Sequence, residues 1–309
     1  MSSLPAITVI TGPTATGKSE LGVRLAKAIG GEIVSADSMQ VYKFMDIGTA
    51  TPAANEMSGV PHHMISFISP DDDYSVARYI KDASNCIDDI LKRKKKPILV
   101  GGTGLYIDSL ILGRTFSARG NLNLRENLEK EFDSIGGEAM LEKLRVIDAE
   151  SAARLHFNDK KRIVRAIEIH KTTGKTVTVH DRETKALPPR YEATKFAVTF
   201  SNRERLYSRI DNRVDVMMLR GLEAEVKALL NSGISQKCTA MQAIGYKEIS
   251  TAITEETDIN SAVDKVKMES RRYAKRQLTW LRRDSEIKWI TWENPPDFNR
   301  GAEEVKRFI

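Results

Sequence analysis

The chain has 309 residues, about twice a typical domain, with 48 basic against 42 acidic side chains and a net charge of +6. Hydrophobic residues at 41% exclude wholesale disorder, and no apolar run approaches the roughly 18 residues of a membrane helix, so no membrane partner is expected. The opening MSSLPAITVITG lacks the basic stretch of a cleaved signal, and Cys86 with Cys238 cannot build a disulfide scaffold or four-ligand zinc site, so a reduced, cytoplasmic protein is expected.

In chain order, Ala6 to Thr11 reads as a short β-rich strand, and Gly12 to Ser19 as a loop. Glu20 to Ile29 then carries helical spacing at Leu21, Leu25 and Ile29 and stops at Gly30-Gly31. A second strand, Glu32 to Ala36, delivers Asp37 at its C-terminal end. Tyr74 to Lys95 predicts an amphipathic helix with Val76, Ala77, Ile80, Ala83, Ile87, Ile90 and Leu91 inward. Its last turn holds the basic run Lys92 to Lys96, as the negative end of a helix dipole favours. Pro97 to Val100 is another buried strand, and Gly101-Gly102 turns it into a helix. Strands alternating with helices predict a parallel sheet covered on both faces.

The pattern changes near residue 116. From Asn123 to Thr173 the text is helical and charged, until Pro188-Pro189 closes the stretch and Lys195 to Phe200 returns as a strand. The expected organisation is an α/β protein: a P-loop NTPase-like core with a parallel sheet and a helical insertion domain. The first part of the core spans 1–116, the insertion 117–190, and the second, mainly helical part 191–309.

Gly12-Pro13-Thr14-Ala15-Thr16-Gly17-Lys18-Ser19 fits GxxxxGK[ST] between a strand and a helix. Its amides, helix dipole and Lys18 ammonium suit a polyphosphate, with the Ser19 hydroxyl placed to ligate Mg²⁺. A nucleotide and a prenyl diphosphate satisfy such a loop equally. Asp37 sits where open α/β sheets bind ligands, although a carboxylate there also suits a helix cap. Taken alone, loop and Asp37 also fit a small-molecule kinase, in which the carboxylate would orient an acceptor hydroxyl.

Further segments appear in a fixed order: Ser35 to Tyr42 (SADSMQVY), Met45 to Thr49 (MDIGT), Pro61 to His63 (PHH), Val100 to Tyr106 (VGGTGLY), Ala243 to Glu248 (AIGYKE) and Arg276 to Arg282 (RQLTWLR). With the loop they span nearly the whole chain, which resembles the bacterial tRNA dimethylallyltransferases (isopentenyl-diphosphate:tRNA transferases). Two departures are small: Thr51 stands where the family often has Lys, and Ser19 where Thr is frequent.

The resemblance implies transfer of a dimethylallyl group from dimethylallyl diphosphate to N6 of the adenosine 3′ of the anticodon, with Mg²⁺ as cofactor and a tRNA anticodon stem-loop as partner. It assigns the loop residues and Arg213 to the diphosphate, and catalysis to Asp37, as base, and Thr103. It assigns Asp37, Ser38, Met39, Gln40 and Thr103 to the flipped adenosine and its surroundings. Arg125 with Lys161, Arg162, Ile163, Val164 and Arg165 it assigns to the tRNA. A helix N-cap is an equal alternative for Thr103.

Arg205, Arg209 and Arg213 share one helix face, and Asp211 and Asp215 lie off it. Arg162 and Arg165 lie opposite Ile163, Val164 and Ile167, the geometry of a phosphate-gripping face and of any amphipathic helix. Lys265 to Arg283 reads as a core helix with a basic outer face of Arg271, Arg272, Lys275 and Arg276, suited to RNA. An adenine-nucleotide isopentenyltransferase would hardly need the insertion, and a non-catalytic RNA-binding module would leave Lys18, Ser19 and Asp37 unexplained. No sustained heptad asks for a second copy, so a monomer is expected.

Overall fold

The apolar run Ala6–Thr11 forms β1, the centre of a six-stranded parallel sheet of order β3-β2-β4-β1-β5-β6. The computed structural model describes residues 4–116, 122–293 and 295–309. Along the chain come α1 (Lys18–Ile29), β2 (Gly31–Ser35), the single turns α2 (Asp46–Thr49) and α3 (Ala54–Met57), and the short β3 (His62–His63). Next are α4 (Val76–Lys92), β4 (Lys96–Val100) and α5 (Gly104–Ile111). The helices α6 (Leu122–Ile135), α7 (Gly137–Ile147), α8 (Ala149–Arg154), α9 (Lys160–Thr173) and α10 (Val177–Lys185) precede β5 (Glu192–Phe200). The chain closes with α11 (Arg203–Leu219), α12 (Leu222–Asn231), a 3₁₀ turn Ala240–Gln242, α13 (Tyr246–Thr254), α14 (Ile259–Leu281), β6 (Lys288–Trp292) and α15 (Phe298–Lys306).

The described residues cluster into two compact units, Met1–Ile111 with Arg190–Ile309, and Leu112–Pro189. These divisions fall at 112 and 189 where the sequence suggested 117 and 190, and residues 117–121 lie outside the described ones.

In the first unit, Ile7, Val9 and Ile10 of β1 are almost wholly buried, as strands of a parallel sheet covered on both faces must be. Register is continuous: Val9 pairs with Leu99 of β4 and Lys195 of β5, and Ile33 of β2 pairs with Ile98. The amphipathic helix α4 is shorter than Tyr74 to Lys95. Ser75 caps it by accepting from the Arg78 amide, and its buried face runs through Tyr79, Ala83, Ile87 and Ile90, with Ala77 outward. At its end Arg93 reaches back to the buried Glu32 of β2, where its Nη2 donates at 2.8 Å and its Nη1 closes the fork. His63 Nε2 lies 2.8 Å from the same carboxylate, so one acid ties β2, β3 and α4 together. Glu32 is 4% exposed. Hydrogen bonds from Arg93 hold its carboxyl down at about 2 against the pull of desolvation, with His63 assisting.

The second unit is all helix among its described residues. Leu128, Met140, Leu144, Ala152, Ile163, Val164, Ala166 and Ile167 form its core.

Candidate active site

Three loops leave the C-terminal ends of β1, β2 and β4 side by side. They are 12–19, 37–40 and 101–103, stitched by Ala36 N to Val100 O (2.8 Å), Gly101 N to Ile10 O (3.2 Å) and Thr103 N to Ala36 O (3.1 Å). The β-α-β order therefore brings together residues remote in sequence at the edge where such sheets bind ligands.

The 12–19 loop is braced from within and from outside. Thr16 Oγ1 and Lys18 Nζ both donate to Pro13 O, at 2.8 and 2.7 Å. Arg209 Nε donates to Ala15 O (3.1 Å) and Trp292 Nε1 to Thr16 O (2.8 Å). The Thr14 amide is taken by Gln277 Oε1 (2.9 Å), whose Nε2 donates to Gly102 O (2.9 Å). Gly17 starts α1 from a φ of +84°, a conformation costly for any residue with a Cβ, and that Cβ would lie 2.6 Å from Phe298. The amides of Ala15, Thr16 and Gly17 find no acceptor among the described residues. Bonded carbonyls at Pro13, Ala15 and Thr16 and three consecutive free amides are the arrangement of an anion nest at a helix N-terminus.

Two cavities open beside this nest. A polar one of about 90 Å³ is lined by Lys18, Ser19, Ser35, Gln40 and His62 among others. A larger one of about 330 Å³ is walled by Ile210, Val214, Met217, Ala243, Ile244 and Val266. Thr14, Asp37, Thr49, Arg213 and Tyr273 line both. Asp37 Oδ1 accepts from the amides of Met39 (2.9 Å) and Gln40 (3.4 Å), so the carboxylate fixes a turn; no helix follows for it to cap. Its Oδ2 has no partner among the described residues. Lys18 and Arg213 face the same space without an acidic ion-pair partner among the described residues. Desolvation pulls the Lys18 ammonium down to about 7, Arg213 repels it further, and Asp37 partly compensates. Arg213 is lowered too, mainly by desolvation. Two crowded cations with one carboxylate between them form a site short of negative charge.

Of the sequence-derived candidates, Gly12 to Ser19, Asp37, Ser38, Met39, Gln40, Thr103 and Arg213 come together in the first unit. Thr103 stands at the N-cap position of α5, its carbonyl accepting from the Ile107 amide (3.1 Å), while its hydroxyl accepts from the Ser38 amide at 3.1 Å and ties two loops together. The arginine stripe of α11 divides, with Arg205 exposed, Arg209 on the loop carbonyl and over the Phe200 ring, and Arg213 at the cavities. Asp211 and Asp215 bind Arg271 and Lys267 of α14, both at 2.5 Å, so part of the basic face of α14 is already neutralised. The sequence reading missed Gln277 and Tyr273. Gln277 is 6% exposed, and a lone buried amide within RQLTWLR was the available signal.

The second unit holds the remaining candidates, and here the expectation needs correcting. Ile163 and Val164 are 0% and 1% exposed and belong to the unit's core, so their side chains offer no RNA contact. Arg165 (2.9 Å) and Arg125 (3.3 Å) both pair with the buried Glu168, which ties them into the unit. Lys161 and Arg162 stay exposed, Arg162 only 3.8 Å from Asp159.

Comparison with known proteins decides the family. Residues 40–284 match the IPP transferase family and residues 5–67 the isopentenyl transferase family. The chain belongs to the IPP transferase family. It is 44% identical over 301 residues to the tRNA dimethylallyltransferase of Acetivibrio thermocellus, covering 97% of this chain and 95% of that one. A crystal structure of the full-length tRNA isopentenylpyrophosphate transferase of Bacillus halodurans matches with a TM-score of 0.73 and 40% identity, over 98% of this chain and 95% of that one. A eukaryotic dimethylallyltransferase captured acting on tRNA matches with a TM-score of 0.80 and 29% identity, over 97% and 78%. Family membership favours neither the kinase nor the adenine-nucleotide alternative. Among the described residues, no helix is long and apolar enough to cross a membrane.

Proposed function

We propose that this chain transfers a dimethylallyl group from dimethylallyl diphosphate to N6 of the adenosine 3′ of the anticodon in tRNA. The observation that carries the reading is the surplus of positive charge, from Lys18, Arg213 and free loop amides, directly beside Asp37. The allylic C–O bond breaks as the N6–C bond forms, and the electron pair leaves with diphosphate. Loop amides, Lys18 and Arg213 stabilise that developing charge. The adenine amine is a weak nucleophile, and Asp37 takes its proton during attack. In the larger cavity the apolar residues Ile210, Val214, Met217 and Val266 suit the five-carbon chain, and Asp37, Gly48 and Thr49 suit the adenine.

Mg²⁺ fits the polar cavity. Ser19 Oγ lines it, exposed and without a hydrogen bond among the described residues. Among the described residues no group of three or more His, Cys, Asp or Glu could hold a metal, so an ion would bind through Ser19, with Asp37 nearby, and through substrate oxygens and water. When bound, it supplies further stabilisation of the leaving diphosphate.

For RNA, Lys161 and Arg162 of the second unit offer exposed charge. A third cavity, about 460 Å³, combines Arg203, Lys275 and Arg282 with the aromatic rings of Tyr207 and Trp289. None of those three cations forms an ion pair among the described residues, and cations beside aromatic faces suit unstacked bases and phosphates. The test is transfer of radiolabel from dimethylallyl diphosphate, with Mg²⁺, to an anticodon stem-loop beside adenosine monophosphate. Label in RNA alone supports the reading. Label in the mononucleotide alone, or in neither, refutes it.

A further inference from the structure

The MDIGT and AIGYKE segments lie far apart in sequence, and neither braces the phosphate loop. They meet on Glu225 of α12. Its Oε2 accepts from the amides of Asp46 (3.0 Å) and Ile47 (2.9 Å), and its Oε1 accepts from Gly48 (3.2 Å) and from the Tyr246 hydroxyl (2.5 Å). The Gly48 amide also reaches the Tyr246 oxygen at 3.1 Å. The ring fits only because residue 48 lacks a Cβ, which would lie 2.4 Å from Tyr246 Cε2 and 2.9 Å from Leu222. One carboxylate thus collects four donors, and hydrogen bonds to a carboxylate are about twice as strong as neutral ones.

What the carboxylate holds is a wall of the site. Gly48 lines the larger cavity, and Thr49 lines both. The Thr49 and Ala50 carbonyls accept from Gln40 Nε2 at 3.4 and 3.2 Å, and the Gln40 amide bonds Asp37. The diphosphate nest is braced separately, by Thr16, Lys18, Arg209, Gln277 and Trp292.

We propose that Glu225, with Tyr246, is a positioning residue for the acceptor half of the reaction, holding the Gly48–Thr49 wall and through Gln40 the Asp37 turn. This rests on the prenyl-transfer reading above. Glu225→Gln is the test, since the amide keeps the shape but turns an N–H₂ toward donors. Expected is a fall of about 10- to 100-fold in kcat/KM for the RNA acceptor, the cost of a slightly misplaced reacting group. The Kd for dimethylallyl diphosphate should stay within about twofold, and hydrogen exchange at the Ile47 and Gly48 amides should quicken, whatever the activity. Tyr246→Phe should act in the same direction but add little in the double variant, as members of one network do. Glu223→Gln, at a partly exposed acid of the same helix paired with Lys227, should change nothing.

Unchanged exchange at those amides overturns the proposal. So does a parallel loss of donor affinity, or a fall in kcat matched by the fraction of unfolded protein with KM unmoved. A wild-type chain that binds donor but moves no label to RNA would instead overturn the reaction, while the exchange measurement still decides the clamp.

Discussion

Glu32 offers a stability test whose size follows from the structure. Glu32→Gln removes a charge 4% exposed that Arg93 grips by a two-pronged fork and His63 meets at 2.8 Å. In the folded chain the carboxyl sits at about 2 instead of the ordinary 4.5. At about 1.4 kcal/mol per pH unit this shift corresponds to about 3 kcal/mol, and the half-exposed Arg93 brings the expected contribution to about 2 to 3 kcal/mol. A depressed acid contributes fully above its unfolded pKa, and the contribution is lost as pH falls from about 4.5 toward about 2. The difference in unfolding free energy between wild type and Glu32→Gln, from urea titrations, should therefore narrow by about 1 kcal/mol between about pH 6 and about pH 3.5. Comparing the two chains cancels the other carboxylates that titrate in that window. Parallel pH profiles would refute the ion-pair account and leave Glu32 as a packing residue.

Lys18→Ala should abolish binding of dimethylallyl diphosphate in calorimetry. In the wild type, measured without metal, affinity should weaken up to about tenfold per pH unit above about 7, where the free ammonium loses its proton, and Lys18→Arg should remove that dependence. Asp37→Ala should lower single-turnover kcat by about 100-fold or more with donor affinity spared, as for a lost general base; an unchanged rate would remove Asp37 from that role. Changing Lys161 and Arg162 together to Ala should flatten the salt dependence of tRNA binding by about one to two units. Arg165→Ala should instead lower the melting temperature, because Glu168 would keep Arg125 alone.

Where the chemistry lies in a short contiguous stretch, it was legible. The loop from Gly12 to Ser19 and the strand end that delivers Asp37 follow from local pattern, because each is one strand and one turn. The contacts that set their geometry were not. Thr14 meets Gln277 across 263 residues and Asp46 meets Glu225 across 179, and no spacing rule encodes such pairs. Ile163 and Val164 show the opposite failure: a basic run suggested an RNA face, but helical periodicity sends alternate sides of one segment to solvent and core. β6 went unread because Lys288–Trp292 is a five-residue edge strand, whereas α15, Phe298–Lys306, went unread although its Asp297 cap and its buried Gly301, Ala302 and Val305 follow a helical pattern.

The bracing of the phosphate loop also bears on synthesis. Residues 12–19 are translated well before residues 209–292, yet their carbonyls are held by Arg209 and Trp292 and the Thr14 amide by Gln277. A ribosome that has made the loop, β1 and α1 has not yet made the parts that set it. Substrate capture is thereby deferred until Trp292 has emerged, and fragments released before it would be blind to the donor.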